Sequence, residues 1–212
     1  MSAGSPLVAV YADESCLGNG QDGDNPGGAG GLIELRDSRS GALVRLDFWI
    51  SDPATTNNRM AIRSALEALT IFSAKGERAS VVFTSDSQYL VKGMREWVPG
   101  WIRRGWRRKG GALENVALWQ ELAAASRGHD IDWRWVRGHK GHPQNEYTNF
   151  LAVRAAQRLD ASGGAVPSEF DAWLAAERAK GQMNLPPEPL PDAAGFRPSP
   201  PLPAEGAASL FS

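Results

Sequence analysis

Apolar and polar residues follow two different periods along this chain, and together they predict a series of strands and helices. Runs that are apolar throughout indicate strands buried on both faces, whereas alternating runs indicate strands with one polar face. On this basis strands are predicted at 7–12, 31–36, 43–50, 80–85 and 131–136. The first is a short apolar run and the fourth reads as a second buried strand, and each ends directly before an aspartate, Asp13 or Asp86.

Helical periodicity fills the spaces between these strands. The polar residues 55–58 supply N-cap side chains, so a helix is expected from about 59 to 75. Short helical segments follow to about 105, and longer helices are predicted at 114–126, 144–159 and 167–182. This order of elements predicts an α/β domain with a mixed sheet, helices on its faces and carboxylates at strand ends.

The composition divides the chain into three parts. Residues 1–160 carry the domain, and residues 161–183 add one further C-terminal helix. The segment 184–212 holds 8 of the chain's 14 prolines and shows no regular apolar period. Because such a segment cannot bury enough apolar surface to offset its ordering entropy, we expect a disordered tail.

Bulk properties narrow the class of protein. No apolar stretch reaches about 18 residues, so no membrane span is expected, and the first residues lack the basic region of a signal peptide. The single cysteine, Cys16, fits a reducing cytosol, and we therefore expect a cytoplasmic protein. With a net charge of −1, the chain must rely on local charge clusters for any binding to nucleic acid.

One such cluster is basic and rich in tryptophan. The segment 97–111 contains no acidic residue. Two interpretations stay open: a surface that binds nucleic acid with salt-dependent affinity, or a solvated basic face above tryptophans of the core. Its members are Trp97, Trp101, Arg103, Arg104, Trp106, Arg107, Arg108 and Lys109.

Four short motifs carry the candidate chemistry. They resemble, in order and over about residues 7–158, the motifs of type 1 ribonucleases H. The resemblance implies a ribonuclease H-like fold with a five-stranded mixed sheet flanked by helices. The motifs are Asp13-Glu14-Ser15-Cys16-Leu17-Gly18-Asn19, Thr55-Thr56-Asn57-Asn58-Arg59-Met60, Thr84-Ser85-Asp86-Ser87-Gln88-Tyr89 and Trp135-Val136-Arg137-Gly138-His139-Lys140-Gly141-His142-Pro143-Gln144-Asn145-Glu146.

The same resemblance implies an activity, a cofactor and a partner. The activity is endonucleolytic hydrolysis of the RNA strand of RNA/DNA hybrids by a two-metal-ion mechanism, with Mg²⁺ or Mn²⁺ as cofactor. Two divalent ions about 4 Å apart activate the attacking water and stabilise the leaving oxygen, and Mg²⁺ prefers oxygen ligands. Asp13 and Asp86 are the candidate ligands, although a strand-end aspartate can also simply cap a turn. We expect the protein to act as a monomer.

Two positions depart from the family's ligand set. Ala61 stands where the family has a glutamate, and Asn149 stands where it has an aspartate. The amide oxygen of Asn149 can still ligate Mg²⁺, so the expected metal ligands are Asp13, Asp86 and Asn149. Ala61 offers no ligand, and we therefore expect the activity of this chain to be impaired.

Three nearby glutamates are candidates to replace the missing ligand. Glu146 lies one turn before Asn149 on the same helix face, but the family keeps a glutamate there as well, so we do not expect it to compensate. Glu67 lies about 120° around the helix and about 9 Å along it from position 61, which makes it a poor substitute. Glu14 stands where the family has a glycine. Because successive strand residues face opposite sides, Glu14 would serve only if its strand has already ended.

The alternative function for a chain with this ligand set is a catalytically inactive protein of the same fold that binds RNA/DNA hybrids.

Further roles are implied by the resemblance alone. His139 corresponds to the family's mobile histidine, which moves a proton or assists product release; a loop histidine without a catalytic role is the alternative. The segment 97–111 resembles the basic protrusion that grips the DNA strand. We expect His142 to cap the last core helix and His129 to be a surface residue. The expected contacts to the hybrid are Asn57, Asn58, Gln88 and Asn145, with Asn19 and Thr56 at a DNA phosphate.

The end of the tail carries one more short pattern. Ser209, Leu210 and Phe211 follow the proline-rich segment and resemble the Leu-Phe peptides by which bacterial replication enzymes dock on the sliding clamp. An exposed Leu-Phe pair on a flexible linker can fill an apolar pocket. An apolar chain end without a partner is the simpler interpretation.

Overall fold

The computed structural model describes residues 6–18, 25–74, 76, 78–108, 110–138 and 140–204. The strands in these ranges are β1 Leu7–Cys16, β2 Gly27–Arg36, β3 Leu43–Asp52, β4 Ser80–Ser85, β5 Asp130–Trp135 and β6 Val166–Pro167. The helices are α1 Asn57–Ser73, α2 Gln88–Lys92, α3 Val98–Arg103, α4 Val116–Ser126, α5 Pro143–Arg158 and α6 Phe170–Ala179. A π-helical turn, Gly93–Trp97, joins α2 to α3. Within the described ranges no helix is long and apolar enough to cross a membrane.

The strands form one mixed sheet in the order β5-β4-β1-β2-β3-β6. β1, β2 and β3 pair antiparallel, whereas β4 and β5 run parallel to β1. The five predicted strands and the mixed sheet are confirmed. β6 is a sixth strand that pairs two of its residues with the edge of β3, and two residues are too few to produce a periodic pattern.

The alternation of side chains along β1 separates the two faces of the sheet. Val8, Val10 and Ala12 point into the larger core, which α1 and α4 cover. Ala9 and Tyr11 point to the opposite face, where they pack with residues of α5 and α6. By the same alternation, Asp13 lies on the face that packs against α5 and α6, and Glu14 lies on the face that α1 and α4 cover.

Two glycines allow α5 to lie directly on β2. A Cβ atom added at Gly28 would lie 2.2 Å from the carbonyl oxygen of Ala152, and one added at Gly30 would lie 2.5 Å from that of Thr148. Gly30 is the pairing partner of Asp13 across the β1–β2 ladder. The close approach therefore brings α5 next to the carboxylate at the end of β1.

The C-terminal helix is fixed to the third strand by a charged network. Arg45 of β3 binds the buried Glu34 at 2.6 Å and Asp171 of α6 at 2.7 Å, and its guanidinium lies 4.9 Å from the centre of the Phe170 ring. Phe170 is fully buried and packs edge-on against Tyr147 of α5. α6 is thus an integral part of the second layer of the domain.

Residues 184–204 also contact the domain, where the composition predicts a disordered tail. The backbone N–H of Ser199 donates to the carbonyl oxygen of Ile131 on β5 at 2.8 Å, and Arg127 donates to the carbonyl oxygen of Pro203 at 3.1 Å. Leu190 and Leu202 pack against the two core clusters. Prolines lower the conformational entropy of the unfolded chain, so a few anchors of this kind are enough to hold the segment.

His129 is buried, and the expectation of a surface residue is wrong. Its Nδ1 accepts the backbone N–H of Ala79 at 3.2 Å, and its Nε2 lies 3.2 Å from the hydroxyl of Ser73. The imidazole therefore links the loop before β4 to the end of α1. Burial, together with the nearby positive charge of Arg78, lowers the pKa of His129.

This lowered pKa predicts a loss of stability in acid. Since the unfolded chain binds a proton on His129 more readily than the folded protein does, the stabilisation is complete above the usual histidine pKa of about 6.5 and declines as the pH falls below it. The free energy of unfolding of His129→Gln should change less between pH 7.5 and pH 5.5, measured by urea denaturation. An equal change in both proteins would contradict this role.

Candidate active site

The site lies where β1 extends past the end of β4. The parallel pairing between these strands ends at Ala12 and Ser85, whereas β1 remains paired with β2 as far as Cys16. The last residues of β1 therefore border a notch in the sheet beside the C-terminal end of β4. Side chains from both faces of β1 can enter this notch.

Three carboxylates meet there. Asp13 and Glu14 of β1 and Asp86, the residue after β4, each place an oxygen within 4.8 Å of the others. Glu14 comes from the face of β1 that α1 covers. Its side chain is one methylene longer than that of aspartate, and the strand that would block its path, β4, has ended. The backbone N–H of Glu14 donates to Oδ1 of Asp13 at 2.7 Å.

The carboxylates of this cluster raise one another's pKa values. Burial raises the pKa of Asp13, and the nearby Asp86 raises it further. Burial also raises the pKa of Glu14, with Asp13 and Asp86 adding to the effect. Within the described residues, Oε2 of Glu14 is buried without a hydrogen-bond partner. Buried carboxylates in such contact favour a bound cation, so the donor set fits a divalent metal.

Neighbouring groups fix the positions of the two aspartates. Asn145 of α5 is buried and donates from Nδ2 to Oδ2 of Asp13 at 3.2 Å. The indole of Trp135 donates to the carbonyl oxygen of Asp86 at 2.9 Å. Gly138 lies so close to Asp86 that an added Cβ atom would be 2.0 Å from Oδ2 of the carboxylate. The two aspartates are therefore held by α5, by the last residue of β5 and by the segment that follows it.

The two departures from the expected ligand set occupy different environments. Ala61 is fully buried in the α1 side of the core. Asn149 is half-buried on α5, one turn after Asn145, and therefore lies on the same side of the helix. The expectation that Glu14 could join the site only if its own strand had ended is wrong. β1 continues to Cys16, and Glu14 joins the cluster because β4 has ended instead.

Comparison with known proteins agrees with this geometry. A family model described as RNase H matches residues 5–157. The chain belongs to the RNase H family. It is 40% identical over 150 residues to Ribonuclease HI of Caulobacter vibrioides, covering 70% of this chain and 91% of that protein. It is 45% identical over 151 residues to Ribonuclease H of Geotalea uraniireducens, covering 71% and 94%.

One solved structure is similar over nearly the whole chain. It is LC9-RNase H1, described as a type 1 RNase H with the type 2 active-site motif. Its sequence is 57% identical, its TM-score is 0.88, and the match covers 98% of this chain and 99% of that chain. The matches to the two curated relatives span only about 150 residues. The part of this RNase H family member that follows residue 160, which we call the C-terminal extension, is therefore also matched by LC9-RNase H1.

The residues that the family resemblance assigns to the hybrid differ in their exposure. Thr56 is exposed and caps α1, accepting the backbone N–H of Arg59 at 3.3 Å. Asn58 and Gln88 are exposed. Asn57 is half-buried, and its Oδ1 has no hydrogen-bond partner among the described residues. Asn145, in contrast, contacts Asp13 instead of facing open surface.

The basic segment has packed tryptophans and exposed arginines. Trp97 and Trp101 pack in a cluster with Tyr89 and Trp119, with ring centres 5.2–6.1 Å apart. Trp106 is half-buried and has a left-handed backbone, with φ of 59°. The arginines Arg103, Arg104, Arg107 and Arg108 are exposed. The rings thus anchor the segment, and its guanidinium groups face outward.

Several assigned residues lie outside the described ranges. His139, Asn19 and Lys109 are among them, as are the tail residues Ser209, Leu210 and Phe211. His142 is described and caps α5, with Nδ1 accepting the backbone N–H of Asn145 at 3.3 Å. The prediction for His142 is confirmed.

Proposed function

We propose that this chain hydrolyses the RNA strand of RNA/DNA hybrids at the cluster of Asp13, Glu14 and Asp86, with divalent metal ions as cofactor. The observation that carries the proposal is the convergence of three carboxylate oxygens within 4.8 Å of one another in the sheet notch. The membership in the RNase H family supplies the reaction class. The chemistry of the donor set supplies the metal dependence.

Glu14 supplies the carboxylate that position 61 lacks. Relative to the family pattern, glutamate replaces glycine at position 14 and alanine replaces glutamate at position 61. Glu14 comes from the face of β1 that packs against α1, the helix that carries Ala61. Together, the two substitutions move one carboxylate of the site from position 61 on α1 to position 14 on β1. We accordingly propose an active enzyme in place of the impaired one that Ala61 alone predicts.

Asn149 completes the proposed ligand set through its amide oxygen. Metal ions bound by these groups would activate the attacking water and stabilise the leaving oxygen. Oxygen ligands of this kind suit Mg²⁺, and Mn²⁺ is the alternative. Asn145 holds the Asp13 carboxylate in place, and the backbone beside Gly138 limits the movement of Asp86.

The hybrid is proposed to lie across the notch and to reach the basic segment. Exposed Thr56, Asn58 and Gln88 lie at helix starts, where polar side chains and backbone N–H groups suit phosphate and sugar oxygens. The outward arginines of the basic segment would bind the DNA strand with salt-dependent affinity. Hybrids differ from DNA duplexes by their 2′-hydroxyl groups, so shape and backbone contacts can discriminate between them.

A cleavage assay with four substrates tests the proposal. The wild-type protein should cleave the RNA strand of a labelled hybrid with Mg²⁺ or Mn²⁺, and should leave a DNA duplex, an RNA duplex and single-stranded RNA intact. Asp86→Asn should bind the same hybrid without cleaving it. Binding without cleavage by the wild-type protein, with either metal, would establish the hybrid-binding alternative instead.

Three finer assignments stay predictions. They are the proton-moving role of His139, the monomeric state, and docking of Ser209, Leu210 and Phe211 on a sliding clamp. Removal of residues 207–212 should abolish clamp binding without affecting hybrid cleavage. Unchanged clamp binding would leave the tail end without this role.

A further inference from the structure

A short segment of the C-terminal extension crosses the start of α5. We call residues 184–190 the C-terminal strap. Glu188 binds the side-chain amide of Gln144 twice: its backbone N–H donates to Oε1 at 3.1 Å, and its carbonyl oxygen accepts from Nε2 at 2.8 Å. Gln144 lies in the first turn of α5 and is fully buried. Both polar groups of a buried amide therefore depend on the strap.

The side chain of Glu188 contacts a second residue at the start of α5. Its Oε2 lies 3.0 Å from Nε2 of His142. Since Nδ1 of His142 accepts the backbone N–H of Asn145, the proton of the neutral ring must be on Nε2, where it is donated to Glu188. The carboxylate thus selects the tautomer of His142 that can cap the helix.

Two series of contacts connect Glu188 to Asp13, the carboxylate that is proposed to bind metal. Through His142 they reach the backbone of Asn145, whose side chain donates to Asp13. Through the hydroxyl of Tyr11, which donates to Oε2 of Glu188 at 3.5 Å, they reach β1 two residues before Asp13. Tyr11 is buried on the same face of the sheet as Asp13. One carboxylate of the strap therefore touches both elements that set the position of Asp13.

We infer that Glu188 is a positioning residue for hybrid cleavage, which acts through His142 and Tyr11 to hold the first turn of α5 and the Asn145 side chain against Asp13. The inference rests on the proposed function. Its alternative is a strap that only adds stability to the fold. The two differ in whether the effect of Glu188 on the turnover rate depends on His142.

Kinetics of single and double variants separate these two roles. Glu188→Ala should lower kcat about tenfold, in the range typical of groups that orient metal ligands, with little change in KM for the hybrid. Glu188→Gln keeps an acceptor for the His142 proton and should recover most of the rate. His142→Ala should lose a similar factor. In that background Glu188→Ala should cost clearly less than it does in the wild-type protein, because only its contact with Tyr11 is then left to lose.

Asp192→Asn is the matched control. It removes one negative charge from the same extension, as Glu188→Gln does, but its carboxylate only caps a local turn at Ala194. Its kcat and KM should equal those of the wild-type protein. Any general effect of charge on hybrid affinity appears equally in both variants and is thereby removed from the comparison.

A spectroscopic measurement provides an independent test. In ¹⁵N spectra of the histidines, His142 should show a proton on Nε2 in the wild-type protein and a changed tautomer signal in Glu188→Ala. A lower Tm with unchanged kcat and unchanged His142 signals would overturn the inference, as would fully additive losses in the double variant. Failure of the wild-type protein to cleave the hybrid would instead overturn the proposed function.

Discussion

Glu14→Gln should lower the rate of hybrid cleavage by about a hundredfold or more, because placement of charge carries most of phosphoryl transfer. The substitution preserves the shape of the side chain and removes its negative charge. Oε2 of Glu14 has no hydrogen-bond partner in the described part of the chain. The carboxylate also forms a hydrogen bond with Ser87, and the amide oxygen of glutamine can still accept it, so the lost charge is the main change at the proposed metal site. Hybrid affinity should change little. Single-turnover cleavage and equilibrium binding, measured on one labelled hybrid, separate the two quantities.

Glu67→Gln is the control for this variant. Glu67 is half-buried on α1, six residues after Ala61, and its conversion to glutamine should leave cleavage unchanged.

The carboxylate can also be moved back from position 14 to position 61. Glu14→Gly should be nearly inactive, and adding Ala61→Glu should restore at least about tenfold of the lost rate. Full activity of Glu14→Gln would contradict the assignment of Glu14, and loss of activity in Glu67→Gln would favour Glu67 as the replacement ligand.

Gly138→Ala should reduce cleavage by about a hundredfold, since a displacement of about 1 Å at a reacting centre can cost that much. The added Cβ atom would lie 2.0 Å from Oδ2 of Asp86, and the carboxylate must move away from it. The backbone of Gly138 is not in the left-handed region, so alanine introduces a clash without backbone strain. The Tm and the hybrid affinity should stay close to those of the wild-type protein.

Gly128→Ala provides the comparison for this clash. A Cβ atom added at Gly128 would lie 3.5 Å from the carbonyl oxygen of Ala125, which is an ordinary contact. This variant should cleave at the wild-type rate. If Gly138→Ala also keeps the full rate, the close approach of the loop to Asp86 does not control the position of the carboxylate.

The elements that carry the site could be predicted because they are long and strongly patterned. The patterns of β1 and β4 predicted two buried strands that end directly before Asp13 and Asp86, and the polar residues before α1 predicted where that helix begins. β6 could not be predicted, since a pair of two residues has no period. Contacts of the extension such as those between Glu188 and Gln144 join residues 44 positions apart, and proline-rich composition gives no sign of them.

The role of Glu14 shows why the rest of the site needed the structure. The alternation rule places Asp13 and Glu14 on opposite faces, and it holds for their backbones. It fails for their carboxylates because β4 ends beside Ala12 and leaves a gap that both side chains enter. The sequence marks where each strand ends but does not give the register between strands. Asn145 was assigned to the hybrid by resemblance, and its contact with Asp13 depends on the close packing of α5 on Gly30.

The C-terminal extension reaches both outer strands of the sheet. β6 pairs with β3 at one side, and at the other Ser199 accepts the N–H of Trp133 on its hydroxyl and donates its own N–H to Ile131. Uncovered outer strands present rows of backbone groups that can pair with another molecule, which leads to aggregation. By contacting both outer strands, the extension leaves fewer of their backbone groups open to pairing with another molecule.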